Sequence, residues 1–376
     1  MTEHYLDNSA TTRVSQLATE KALQIMTECY GNPSSLHTKG MQAEQELINA
    51  RKIIADSIKA KENEIYFTSG GTEANNTAIF GTAKAKARLG KKIVTTAIEH
   101  SSVLEACEAL QKQGYEVVYL TPNENGIVTA EALENAVDSD TILVSVMAVN
   151  NETGAVMPIE HISKIIKNKK SNALFHTDMV QAYGKIHIKA SKIDADLISL
   201  SAHKVHAPKG VGALYVKSGV RISPLHFGGE QEKKLRPGTE ALPLIGAFGS
   251  AVSEFDIDKN MQYVKELNEY AKERLLSLDG VYLNSPENAL PYVLNLSVLG
   301  IRSETMLHHL EASDIFVSSG SACAKGKKSH VLKALGLSEK RADSAIRISF
   351  SKLNTKEDID ALYEAVKIGT KTLVRK

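Results

Sequence analysis

Between about residues 50 and 215, short apolar runs alternate with helical stretches, and this alternation constrains the fold more than any other feature of the chain. "NEIYFTS" reads as a strand, "TEANNTAIFGTAKAKARLG" as a helix with a glycine stop, and "KKIVTTA" as a second strand. "SVLEACEALQKQG" predicts a helix, "YEVVYL" a strand, "TAEALENAV" a helix opened by Thr129, and "TILVSVMAV" a strongly apolar strand. A helix near 159–168, the strand "ALFHTD", and "ADLISLS" leading into "GVGALYV" complete the series. Such a pattern predicts an α/β architecture: a mostly parallel sheet with helices on its faces, whose ligands gather at the carboxyl ends of the strands.

The last third reads differently. A long helix from about 254 to 278, the strand "YVLNLSV", the helical "SETMLHHLEA", a loop ending near 330, "AIRISF" and a terminal helix "TKEDIDALYEAVKIG" predict a smaller α+β domain. The expected division is 16–255 for the large domain and 256–376 for the small one, completed by the N-terminal segment 1–15. "PLIGAFGSAVSEFDIDKNMQYVKELNEYA" has no Gly/Pro-rich linker, so a single helix bridging the domains is one reading the sequence leaves open.

Charge and motif content exclude several function classes. The 376 residues carry 45 Lys+Arg against 44 Asp+Glu, so no global basic field invites nucleic acid or an anionic membrane. "MTEHYLDNSATTRVSQ" has neither the basic flank nor the apolar core of a signal peptide, and no run is long and apolar enough to span a bilayer, so a cytoplasmic location is expected. Cys29, Cys107 and Cys323 lie far apart, which argues for separate free thiols. His-Glu-x-x-His and Gly-x-x-x-x-Gly-Lys-Ser/Thr are both absent, and no structural metal is expected.

The chemistry-bearing residues cluster at predicted strand ends. Lys204, in "LISLSAHKVHAPKGVGALYV", is either a solvated lysine on a turn or an amine held at the sheet's carboxyl edge, where burial and positive neighbours favour a nucleophile. Beside it, Ser201 and His203 are turn-capping residues or donors to an anion. In "SGGTEANN", Gly70 and Gly71 permit a tight turn, and Thr72 stands where a helix begins: a phosphate cup, or merely a turn with Thr72 as N-cap. Asp178 ends "ALFHTD", where a buried carboxylate needs a partner such as a protonated pyridine nitrogen. Gln181 is near enough to serve a phenolic oxygen of the same ligand; the plainer alternative makes Asp178 a cap and Gln181 a surface residue. His100 could stack on an aromatic ring or cap a loop, and Asn151 in "NNETG" could orient a bound group or simply turn the chain. Taken together, these ends describe a pocket for a phosphorylated pyridine aldehyde.

Arg347 alternates with apolar neighbours in "AIRISF": buried, it would need an anion such as a substrate carboxylate; on the wet face it would need nothing. "LRPGTEALP" could present Arg236 and Thr239 to an anion bound by a neighbouring subunit. Cys323, in "FVSSGSACAKGKKSHVL", falls in a predicted exposed loop near Lys325, Lys327 and Lys328, which would favour its thiolate.

The series "YLDNSATT", "YGNPSSLH", "TSGGTEANN", "EHSSV", "NNETG", "HTDMVQ", "SLSAHKVHAPKGVGALY", "RPGTE", "SSGSAC" and "IRISF", in this order, resembles the cysteine desulfurases of the NifS/IscS type, in the class V group of fold-type-I pyridoxal-phosphate enzymes. The resemblance implies a seven-stranded, mostly parallel mixed sheet and pyridoxal 5'-phosphate as cofactor. By it, Lys204 matches the cofactor-bearing lysine, and Gly71, Thr72, Ser201 and His203 match the phosphate site, with Thr239 contributed across a homodimer. Asp178 matches the pyridine partner, Gln181 the phenolic-oxygen partner, and His100 the ring-contacting acid/base. Asn32, Asn151 and Arg347 match the carboxylate and cofactor-side contacts, and Cys323 the thiol that takes sulfur from L-cysteine as a persulfide, releasing alanine. The implied acceptor is an iron-sulfur scaffold or a tRNA-thiolation enzyme, without direct contact to nucleic acid. Selenocysteine lyase or another class V lyase or aminotransferase is the enzymatic alternative, and a non-catalytic cofactor-binding partner protein the other. The chain departs from the family's common pattern at "AKGKK" after the cysteine and at Pro237 and Ala241 around the "RPGTE" turn.

Overall fold

The computed structural model describes residues 3–319 and 329–373. A short strand β1 (His4–Tyr5) is followed by helices Gln16–Thr27 and Thr38–Ser57, and then by β2 (Ile65–Thr68), β3 (Lys92–Thr96), β4 (Glu116–Leu120), β5 (Thr141–Ser145), β6 (Leu174–Asp178), β7 (Leu197–Ser201) and β8 (Gly212–Val216). The last seven form one sheet in the order β2-β8-β7-β6-β5-β3-β4. Within it β8 runs against both neighbours and every other pair is parallel, so the sheet is the mixed, mostly parallel one expected.

Every residue of β5, β6, β7 and β8 is buried, which is why these stretches read as continuous apolar runs rather than alternating ones. His176 is a costly exception inside this layer. Its Nδ1 lies 2.8 Å from Ser145 Oγ and its Nε2 2.9 Å from Ser199 Oγ, so one imidazole ties β5, β6 and β7 together. Burial pushes its pKa down to about 4, and it stays neutral. Helix Gly71–Lys86 packs on the sheet through small residues, among them Ala74, Ala78 and Ala83, which lets it approach closely.

The remaining strands are β9 (Val281–Leu283), β10 (Val293–Val298), β11 (Ile315–Phe316), β12 (Ser318–Ser319) and β13 (Ala345–Ser349). Four of them form an antiparallel sheet, β12-β13-β10-β9, and β11 pairs in parallel with β1. Just beyond β1, Asp7 bridges to Ser349, so the first residues run alongside the C-terminal strands. The single bridging helix does not form. Helices Leu242–Ser253 and Ile257–Leu276 are separate, because Asp256 leaves helical geometry (φ −127°, ψ 77°) and its side chain caps the second helix at the Lys259 N–H. Among the described residues, no helix is long and apolar enough to cross a membrane.

Candidate active site

The site is laid out along the carboxyl edge of the large sheet. Ser201 ends β7 opposite Gly212 of β8, and Gly212 is also paired with Thr68 of β2. A Cβ on Gly212 would come within 2.7 Å of Gly70 Cα, so its bare backbone lets the turn after β2 close against the sheet. Gly70 adopts φ 151°, ψ −176° and caps helix Gly71–Lys86 without any side-chain hydrogen bond. The first-turn N–H groups of that helix thus have no side-chain cap, at the positive end of its dipole. A Cβ on Gly71 would lie 2.9 Å from Val180 Cγ2 and 3.5 Å from Ser201 Cβ, which sets the Ser201 side chain against the cup. Thr72, one residue inside the helix, is exposed and is not the N-cap.

From Ser201 the chain turns through a tight 3-10 turn, Ala202–Lys204. Lys204 Nζ donates to the Ser9 and Ala10 carbonyls, each at 2.7 Å. His203 Nδ1 lies 3.2 Å from Thr11 Oγ1; burial first, then the charges of Lys204 and Lys209, push its pKa down to about 4. Gln181 Nε2 donates to the same Ser9 carbonyl at 3.0 Å, while its Oε1 accepts from Lys185 Nζ at 2.9 Å. Lys185 is buried over the Tyr292 ring, 5.6 Å from its centroid, and burial pushes its pKa down to about 7. Gln181 is therefore no surface residue.

Asp178, at the end of β6, accepts from Val180 N–H at 2.9 Å and from Asn75 Nδ2 at 2.7 Å. Asn75 also donates to Ser102 Oγ at 2.8 Å, and that oxygen stands 2.8 Å from His100 Nδ1. One polar chain thus runs from Asp178 through Asn75 and Ser102 to His100. His100 caps helix Ser101–Lys112, its Nδ1 accepting from Ser102 N–H at 3.2 Å, so the neutral ring carries its proton on Nε2. Burial lowers its pKa; Asp178 opposes the shift, and Lys204 and His330 add to it, which places His100 under the charges of both Asp178 and Lys204.

On the other side stands Arg347 of β13, only 3% exposed. Nη2 donates to Asp7 Oδ1 at 2.8 Å and Nη1 to the Asn151 carbonyl at 3.1 Å, while Nε has no partner among the described residues. Of the two alternatives for Arg347, burial against an anion is the one observed. Asn151 contributes its carbonyl; its turn is organised by Asn150, whose Oδ1 accepts from Glu152 N–H at 2.9 Å and Thr153 N–H at 3.0 Å. The next residue, Glu152, is buried, which raises its carboxyl to about 7, and it accepts from Ser329 Oγ at 2.5 Å.

Two expected residues make no hydrogen bond to these groups among the described residues. Asn32 lies on an exposed turn, its Oδ1 accepting from Ser34 N–H at 2.9 Å, and Thr239 is exposed just after Gly238 (φ 110°). The segment leading to Thr239 is strained: Glu232, Lys233 and Lys234 take φ of 46°, 52° and 66° in succession without a glycine. The buried Glu232 carboxylate holds them in place, accepting from Arg51 Nη2 at 2.6 Å, Arg51 Nη1 at 2.9 Å and Phe67 N–H at 2.9 Å. Arg236, which follows, pairs with Glu73 at 2.9 Å. Cys323 and its neighbours Lys325, Lys327 and Lys328 lie outside the described residues.

Asp7, Ser9, Asn75, Ser102 and Lys185 were not singled out by the sequence. A polar residue interrupting an apolar helical stripe, as Asn75 does between Ala74 and Ala78, was the available signal for one of them.

The sequence matches the aminotransferase class-V family over residues 4–362. Cysteine desulfurase IscS of Methanosarcina thermophila is 43% identical over 367 residues, covering 96% of this chain and 90% of that protein. Among solved structures, a NifS-like protein superposes with a TM-score of 0.94 at 37% identity, covering 99% of this chain and 100% of that one. "SspA in complex with cysteine" superposes with a TM-score of 0.84 at 34% identity, covering 94% and 100%. With a match that runs from β1 into the C-terminal helix Lys356–Thr372, the chain belongs to the class-V aminotransferase family.

Proposed function

We propose that the protein is a cysteine desulfurase that holds pyridoxal 5'-phosphate at the edge of the seven-stranded sheet and takes sulfur from L-cysteine. What carries this reading is that Lys204 and Gln181 converge on one carbonyl, Ser9, while His100 lies under the charges of Lys204 and Asp178.

The residues present fit the cofactor. Asp178 is a buried carboxylate served by two N–H donors and no ion pair among the described residues, an arrangement that favours a cationic ligand such as a protonated pyridine nitrogen. The helix N-terminus at Gly71 and Thr72, with Ser201 and His203, would hold the phosphate, and Gln181 the phenolic oxygen. When bound, this group withdraws electron density from the α-carbon of an attached amino acid.

The chain's own residues do the rest. Lys204 would bond the cofactor and, once released, move a proton at the substrate's α-carbon. His100, with its proton on Nε2, would donate to or accept from the reacting amino acid. Arg347, Asn151 and Asn32 would orient the carboxylate. The Cys323 thiolate would attack the substrate's Sγ: an S–S bond forms, the substrate's C–S bond breaks, and its electron pair stays on carbon, which takes a proton to give L-alanine. The persulfide would then pass its outer sulfur to an acceptor protein in the cytoplasm, an iron-sulfur scaffold or a tRNA-thiolation enzyme.

A homodimer completes this scheme. Leu23, Met26, Tyr30, Leu36 and Met41 are large apolar residues exposed along and between the first two helices, a patch suited to a second copy. That copy would bring the exposed Thr239 to its neighbour's phosphate site. Residues 16–255 would form the cofactor-binding domain, and 1–15 with 256–376 the small one.

Purified wild type and Cys323→Ala, each loaded with pyridoxal phosphate, are given L-cysteine and a reductant while alanine and sulfide are followed. Loss of both products with the cofactor's visible band intact is expected. Undiminished release from the variant would remove Cys323 as nucleophile and favour another class V lyase.

A further inference from the structure

Arg347 is a buried cation whose anion in the described structure is Asp7. Glu152 is also within electrostatic reach of Arg347, but it is turned to Ser329. Asp7 is firmly placed: it bridges to Ser349, and its carbonyl accepts from the Ala10 N–H at 3.0 Å and the Thr11 N–H at 3.4 Å. Its carboxylate also feels Lys204, whose ammonium rests two and three residues further along the same strap, on the Ser9 and Ala10 carbonyls. One carboxylate therefore faces the two cations between which, on the desulfurase reading, an amino acid would sit.

Substrate and product of that reaction share their α-amine and α-carboxylate and differ only in sulfur. An unopposed guanidinium fork would grip L-alanine as firmly as L-cysteine. With Asp7 on Nη2, an entering α-carboxylate finds the unpartnered Nε but meets a like charge beside it. We propose that Asp7 is a resident counter-ion of the substrate anchor, keeping Arg347 oriented when no ligand is bound and weakening its hold on the α-carboxylate so that L-alanine leaves. This role rests on the desulfurase reading above.

The test titrates L-alanine into wild-type and Asp7→Asn holoenzyme, following the visible band of the bound cofactor, and measures L-alanine as a product inhibitor. Asp7→Asn is expected to bind L-alanine about tenfold more tightly, with a parallel fall in KM for L-cysteine and a lower kcat as release slows. A structural role alone would not tighten binding. Unchanged or weaker L-alanine binding in a variant with intact far-UV circular dichroism and cofactor band overturns the role of Asp7. Should Asp7→Asn fail to fold or to load the cofactor, the wild type still decides by its preference for L-alanine over L-alaninamide. Below about tenfold supports an opposed anchor, and a larger preference, toward the hundredfold expected of an unopposed arginine, overturns it. A wild-type enzyme that neither binds L-alanine nor forms it from L-cysteine removes the desulfurase reading itself, whereas one that does both beside an unaltered Asp7→Asn removes only the counter-ion.

Discussion

On the sheet-edge side of the site, Ser201 and Asp178 end strands and Lys204 follows within one tight turn, whereas Arg347 on β13 meets Asp7 over 340 residues of chain. The edge groups inherit their positions from strands that are buried at every residue and laced to their neighbours. The Arg347 side depends on a strap, residues 7–12, that has no sheet of its own and is held by hydrogen bonds to scattered partners, among them Asn8 Nδ2 to the Ser349 carbonyl at 2.9 Å, Ser9 N–H to Ser349 Oγ at 2.8 Å, and Thr12 N–H to the His203 carbonyl at 2.9 Å. A rigid scaffold thus carries the Lys204 amine, and a stitched segment carries the charge balance of Arg347. Losses on the first side should fall on chemistry, and on the second on stability and affinity together.

The sharpest way to break this contrast is Lys204→Ala. Turnover should fall by about a thousandfold or more, the visible band of lysine-bound cofactor should be missing, and the unfolding midpoint should barely move. A large stability loss would show that the amine also holds the strap through its two carbonyls.

Arg347→Met comes next. It leaves Asp7 without its guanidinium and should cost about 3 kcal/mol of stability in denaturant titration, together with a rise in KM for L-cysteine of about a hundredfold. An unmoved midpoint would mean that the strap side is as self-sufficient as the sheet edge.

Lys185→Met is the mildest probe, read against pH. Burial lowers this amine from 10.5 to about 7, so between those values the unfolded chain binds more protons than the folded one, and stability rises with pH. Below pH 7 the full cost of the buried charge is present. The variant lacks this slope, so thermal unfolding should show its largest advantage over wild type at or below pH 7, shrinking toward pH 10.5. Parallel curves would mean that Lys185 is not the titrating group. Turnover should change least of the three.

The same division governs what could be read from the chain alone. Lys204, Asp178, Gln181 and His100 stood out because an apolar run that stops abruptly at a polar residue marks a strand end, and strand ends are where an α/β sheet keeps its ligands. Thr129 was legible for a similarly local reason, and it does cap its helix, accepting from Ala132 N–H at 3.2 Å. For Thr72 the plainer alternative of an N-cap does not hold, because Gly70 is the N-cap of helix Gly71–Lys86. The break at Asp256 was hidden: a capping aspartate in a charged helical stretch resembles its surroundings until the backbone turns. Asp7 and Ser9 carried no local signal, since what matters about them is a partner hundreds of residues away. Asn151 was found for its amide but, in the described structure, serves Arg347 through its carbonyl, a distinction that composition does not encode.

The pairing of Asp7 with Arg347, and of Asp7 with Ser349 along the backbone, also sets a timetable for biosynthesis. A ribosome delivers the strap first and its mate near the end, so a nascent chain has Lys204 in hand well before it has Arg347. Until that final strand emerges, Asp7 has no Arg347 guanidinium to pair with, and on the desulfurase reading a substrate carboxylate would find no anchor. On that reading, recognition of the substrate would come only after the cofactor-bearing lysine is already in place.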